Sequence, residues 1–139
     1  MVQIIAGEKG KGKTKILLDM VNSDIKTAKG TIVYLDKSLD HMYELDRKVR
    51  LINVRDYCIT NADEFVGFIC GIISQDHDLE KVYLDSFLKV SSLEAKDADA
   101  AIEKLDEVSK KFNLDIIISF SQKSTELSDV VKSKVKTAL

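Results

Sequence analysis

The chain has 139 residues, of which 45% are hydrophobic, and its 21 basic and 23 acidic side chains give a net charge of −2. We therefore expect residues 1–139 to form a single globular domain, without the strong positive field that would hold a polyanion such as nucleic acid. No apolar stretch is long enough to span a membrane and no secretion signal is visible, so Cys58 and Cys70 are interpreted as reduced core thiols of a cytoplasmic protein.

Short apolar segments alternate with amphipathic ones along the chain. This order predicts an α/β fold, a three-layer αβα sandwich whose middle layer is a mostly parallel sheet. Strands are predicted in chain order at 2–6, 31–35, 51–54, 81–84 and 115–120, the pattern at 51–54 being the weakest.

Helices are predicted between these strands from capping residues and apolar spacing. Asn61 and Glu64 have the spacing of a helix N-terminus before the apolar segment 65–73, and Ser91 and Glu94 have it before a helix at 95–112. The apolar stripe at 126–138 predicts a last helix that packs back onto the first strand. No linker or repeat interrupts the pattern.

Residues 7–14 read GEKGKGKT and match the phosphate-loop pattern G-x-x-x-x-G-K-[ST], the Walker A motif, at every fixed position. The segment lies between the first strand and a helix, where the motif requires it. Its glycines let backbone amides wrap a triphosphate, and the helix N-terminus adds positive charge. Lys13 is expected to reach the β- and γ-phosphates, and the Thr14 hydroxyl to ligate Mg²⁺. The predicted nucleotide-binding residues are Gly7, Glu8, Lys9, Gly10, Lys11, Gly12, Lys13, Thr14 and Lys15.

The apolar segment 81–84 ends at Asp85, as a Walker B strand does. Asp85 is expected to accept a hydrogen bond from Thr14 or from metal-bound water, which makes Thr14 and Asp85 the predicted metal site. Aspartates at strand ends also cap the next turn, and that alternative stays open.

With these two elements placed, residues 1–123 resemble the nucleotide-binding core of the RecA/KaiC-like P-loop ATPases. Segment 31–40 is similar to the family's second strand and the acidic segment after it. Segment 115–122 is similar to a strand that ends in a polar sensor of the γ-phosphate, here Gln122. The resemblance implies ATP and Mg²⁺ as ligands, bound over the carboxyl ends of the strands. It also implies that strands 81–84 and 115–120 lie beside the first, in a 1-4-3-2-like order.

Two departures from that family bear on catalysis. Ser38 stands where the family has the carboxylate that polarises water, and Asp36 and Asp40 are the nearest acids that could substitute for it. The family's additional C-terminal strands have no room after Gln122. An arginine from the cluster at 47–55 could act across an oligomer interface. The candidate catalytic residues are therefore Lys13, Asp36 and Gln122.

The expected function is Mg-ATP binding with weak or partner-dependent hydrolysis. Two alternatives stay open: a small-molecule or nucleotide kinase, and a non-catalytic interaction module that a nucleotide controls. A kinase lid needs arginines, which the C-terminal third lacks, and the guanine-reading motif N-K-x-D is absent. The expected partners are a nucleoside triphosphate and either a second copy of the chain or another protein, with no evidence for nucleic acid or a membrane.

Overall fold

A computed structural model describes all residues from Met1 to Leu139. Its six strands are β1 (Val2–Gly7), β2 (Thr31–Asp36), β3 (Arg50–Asn53), β4 (Leu79–Leu84), β5 (Asp115–Ser121) and β6 (Val135–Ala138). Its helices are α1 (Lys13–Asp24), α2 (Ala62–Gln75), α3 (Phe87–Val90), α4 (Asp99–Lys111) and α5 (Asp129–Lys132). No helix combines the length and the apolar character needed to cross a membrane.

The strands form one sheet in the order β3-β2-β4-β5-β1-β6, and every neighbouring pair is parallel. Successive side chains of a strand point to opposite faces, so Ile4 belongs to the larger buried cluster and Ile5 to the smaller one. Helices α2 and α4 pack on the first face and α1 on the second. The predicted α/β architecture of three layers is confirmed. The predicted 1-4-3-2 order, which numbered only the strands now labelled β1, β2, β4 and β5, is also observed, as β1-β5-β4-β2.

The predicted start of α2 is confirmed, because Asn61 accepts a hydrogen bond from the amide of Glu64 at 2.9 Å and the helix begins at Ala62. The predicted start of the next helix is wrong. Ser91 is buried and donates to the carbonyl of Phe87 at 2.6 Å, which closes α3, and α4 begins only at Asp99. The interpretation of Cys58 as a buried thiol is also wrong, since its side chain is exposed.

The helix predicted at 126–138 is absent. The short helix α5 is followed instead by β6, which pairs with β1. The amide of Ile4 donates to the carbonyl of Lys134 at 2.9 Å, and the amide of Leu139 donates to the carbonyl of Ala6 at 2.8 Å. The free edge of a buried strand needs hydrogen-bond partners, and this need overrides the helical spacing. The chain therefore has room for one more C-terminal strand than expected.

Candidate functional site

A polar cavity of about 380 Å³ lies at the carboxyl ends of the central strands, and no hydrophobic residue lines it. Open parallel sheets generally bind ligands at this edge. The lining consists of Lys9, Gly10, Gly12, Lys13, Thr14, Lys37, Asp85, Ser86, Ser119 and Ser121.

The loop that borders the cavity depends on glycine at two positions. Gly10 and Gly12 have φ angles of 86° and 91°, in the left-handed region that other residues rarely adopt. A Cβ atom at either position would meet no atom within 4 Å. Gly12 precedes α1 and no side chain caps the helix, so its first amides are available to an anion in the cavity. Gly7 differs, because its φ is ordinary and its Cβ would lie 3.0 Å from the Cβ of Leu139.

Lys13 is buried at the start of α1, with 7% of its surface exposed. Its amine donates to the carbonyl of Glu8 in the same loop at 2.9 Å and makes no ion pair. Burial lowers the pKa of the Lys13 amine, and the negative charge of Asp85 opposes this effect. A cation in this position lacks a neutralising partner of its own, as expected of a group that binds an anionic ligand.

Asp85 lies directly after β4 and is the centre of a hydrogen-bond network. Its Oδ1 accepts from the hydroxyl of Thr14 at 3.3 Å, from the hydroxyl of Ser119 at 2.7 Å and from the amide of Ser86 at 2.9 Å. Its Oδ2 accepts from the phenol of Tyr34 at 2.8 Å. Burial and then the charge of Asp85 raise the pKa of Tyr34, so the phenol stays protonated and donates. The carboxylate is thereby fixed in one orientation beside Thr14.

Asp36 ends β2 and is 1% exposed. Its Oδ1 accepts from the amide of Lys37 at 2.7 Å, whereas the buried Oδ2 has no hydrogen-bond partner. Burial, followed by the charge of Asp85, raises the pKa of the Asp36 carboxyl. Such an acid can take up a proton more readily than an exposed aspartate.

The structure brings together only part of the predicted site. Lys9, Gly10, Gly12, Lys13, Thr14 and Asp85 line the cavity, and Gly7, Glu8, Lys11, Lys15, Asp36 and Gln122 do not. Lys15 pairs with Asp19 along α1 at 3.1 Å, and the amide of Gln122 donates to the carbonyl of Gly7 at 3.2 Å.

Sequence reasoning missed five contributors: Tyr34, Lys37, Ser86, Ser119 and Ser121. Ser119 and Ser121 could have been recognised, because they are polar residues two positions apart at the end of the apolar run of β5 and so share one face. Tyr34 could not have been recognised, since aromatic residues are ordinary in buried strands.

The residues present fit a divalent ion only in combination with a ligand. No group of three or more His, Cys, Asp or Glu side chains could hold a metal. The hydroxyl of Thr14 and the carboxylate of Asp85 are oxygen donors of the kind Mg²⁺ prefers, but Mg²⁺ seeks six ligands and usually takes the rest from phosphates and water.

Comparison with known proteins shows the fold. No family model and no curated protein sequence matches the chain. Among solved structures, the chain is similar to the flagellar accessory protein FlaH from Methanocaldococcus jannaschii, with a TM-score of 0.57 and 13% sequence identity. The similarity covers 95% of this chain and 65% of FlaH, so the chain spans just under two thirds of the length of that protein. At this identity the match shows that the fold is RecA-like.

Proposed function

We propose that the chain binds Mg-ATP in the polar cavity, as a minimal RecA-like nucleotide-binding core, and hydrolyses it slowly. The observation that carries the proposal is the hydrogen bond between Thr14 and Asp85, which are 71 residues apart in the sequence. It joins the loop of the Walker A pattern to the end of the Walker B strand at the wall of one cavity.

Each residue has a role that follows from its position. The free amides at the start of α1 and the amine of Lys13 bind the β- and γ-phosphates, in place of the contact between Lys13 and Glu8. Thr14 and Asp85 hold Mg²⁺, which neutralises charge on the phosphates when bound. Tyr34 and Ser119 keep the Asp85 carboxylate oriented.

Turnover is proposed to be slow because no free carboxylate lines the cavity. Ser38 accepts a hydrogen bond from the amide of Asp40 at 3.2 Å and cannot serve as a base. Asp36 is the candidate base, with one buried oxygen that has no hydrogen-bond partner, but it does not line the cavity. A positioned base typically contributes 10²–10⁴-fold to a rate, so its imperfect placement should be visible in turnover.

Calorimetric titration with Mg-ATP tests the binding. We expect the wild type and Lys26→Ala to bind equally, since Lys26 is exposed, unpaired and beyond the other end of α1. Lys13→Ala should lose the binding. Thr14→Ala should lose only the metal-dependent part of the affinity, which is the part that EDTA also removes. Equal affinity of Lys13→Ala and the wild type would refute the proposal.

A phosphate-release assay on the same proteins tests turnover. We expect a low rate that Asp36→Asn abolishes without affecting Mg-ATP affinity. Binding with no phosphate release in any variant would instead indicate a module that the nucleotide only controls, and a rate that rises steeply with protein concentration would indicate assembly.

A further inference from the structure

Three cationic side chains follow three neighbouring strand ends. Arg55 comes shortly after β3, Lys37 directly follows β2, and Lys89 lies in α3, which follows β4. These strands are adjacent in the sheet, and the amide of Asp85 after β4 donates to the carbonyl of Leu35 in β2 at 2.9 Å. The topology therefore brings the three cations to the carboxyl-terminal end of the sheet, where Lys37 lines the polar cavity.

None of these cations has an acidic partner. Lys37 lines the cavity together with Lys9, and neither of them forms an ion pair, nor does Arg55 or Lys89. The close amine of Lys37 lowers the pKa of the Lys89 amine, with further contributions from the charges of Lys9 and Arg55. Like charges thus lie near one another, and no ion pair neutralises them, in a chain whose net charge is −2.

We propose that Lys37, Lys89 and Arg55, together with Lys9, form a second anion site that takes a phosphate group beside the one bound by the glycine loop. This inference rests on the proposed function, because the loop supplies the neighbouring phosphate site. Ammonium groups bind phosphate as point charges, and a guanidinium adds paired hydrogen bonds.

A phosphate group could reach this site from two sources. It could be the terminal phosphate of the triphosphate in the loop, in which case the site distinguishes ATP from ADP. It could also belong to a separate small ligand that binds next to the nucleotide. The chemistry of recognition is the same, so the experiment separates the sources.

The experiment compares the wild type with the double variant Lys37→Ala/Lys89→Ala and the control Lys26→Ala. Each protein is titrated calorimetrically with Mg-ADP, with Mg-ATP, and with inorganic phosphate in the presence and absence of saturating Mg-ADP. Alanine keeps the backbone amide of Lys37 that Asp36 accepts from, so loss of folding is not expected, and circular dichroism checks it.

A terminal-phosphate site predicts that the double variant binds Mg-ATP about tenfold more weakly while Mg-ADP affinity is unchanged. A separate ligand predicts unchanged affinity for both nucleotides and loss of inorganic phosphate binding. A double variant that matches Lys26→Ala in every titration would overturn the second site. Failure of the wild type to bind either nucleotide would refute the proposed function alone, since the phosphate titration without nucleotide still decides the second site.

Discussion

The phenol of Tyr34 stabilises the fold and orients Asp85 through one hydrogen bond. Tyr34→Phe removes the donor and leaves Oδ2 of a buried carboxylate without a partner, which should cost about 1–3 kcal/mol of unfolding free energy. We also expect Mg-ATP to bind more weakly, because the carboxylate is then free to turn away from Thr14. Urea denaturation and calorimetry measure the two effects.

Tyr83→Phe is the matched control for this prediction. Tyr83 stacks on Tyr34 within the same buried cluster, with ring centroids 6.1 Å apart, but its phenol donates to Asp24. It should lose stability and keep its affinity for Mg-ATP. Equal loss of affinity in both variants would show that Tyr34 has only a structural role.

The buried carboxyl of Asp36 should make stability depend on pH. Its pKa in the folded state is raised above the ordinary value of 3.8, so the folded state binds a proton that the unfolded state has released. The favourable contribution is therefore complete below that ordinary value and is lost as the pH rises through the higher folded pKa. Asp36→Asn should raise the unfolding free energy at pH 7, and the gain should shrink toward pH 3.

Thermal unfolding of the wild type and Asp36→Asn across that pH range measures the difference. Asp40→Asn provides the control, because Asp40 lies in the same loop region but is exposed. A difference between Asp36→Asn and the wild type that stays constant with pH would contradict the raised pKa.

The side chains that the sequence identified are those whose roles depend on local spacing. Lys13 and Thr14 have fixed places in the loop pattern, and Asp85 ends a recognisable strand. Tyr34 and Ser119 could not be assigned, because their contacts with Asp85 depend on how strands far apart in sequence are aligned side by side. Lys37 could not be assigned either, because its place in the cavity lining depends on the same alignment of strands.

Among the secondary-structure elements, β6 is the one that forms where the spacing of apolar residues predicts a helix. Deleting residues 134–139 should expose the amide of Ile4, which donates to the carbonyl of Lys134, and should accelerate its hydrogen exchange. The amide of Ile116 donates to the carbonyl of Met1 on the other side of β1 and should remain protected.

Nuclear magnetic resonance exchange measurements on the full chain and the deletion variant check this prediction. A slow Ile4 amide in the deletion variant would show that its protection does not come from β6. If both amides become fast, the strand supports the sheet as a whole rather than one edge.

The helices and strands differ in whether local sequence or tertiary contacts determine them. The central strands are continuous apolar runs and α2 has a local cap, so both could be predicted. Segment 126–138 has apolar residues at helical spacing, but its conformation is decided by the open edge of β1. The start of α4 shifted because Ser91 completes α3, a helix too short to leave a periodic pattern.

The molecule as a whole combines a small net charge with a local concentration of cations. Lys9, Lys13 and Lys37 line one cavity, while the total charge is −2. Composition therefore describes the average electrostatic field of the molecule, but it could not show that positive charge is concentrated at the carboxyl ends of the strands. The alternation of strands and helices was sufficient to predict the three-layer α/β sandwich, whereas its RecA-like type was implied by the resemblance to a known family.

Thermal unfolding with and without Mg-ATP tests the nucleotide site most directly. A ligand that binds only the folded state at 100 times its Kd adds about 2.7 kcal/mol of stability. We predict a higher unfolding midpoint for the wild type and for Lys26→Ala in Mg-ATP, and no change for Lys13→Ala. A wild-type midpoint that does not move with millimolar Mg-ATP, or one that moves equally in Lys13→Ala, would contradict nucleotide binding at this site.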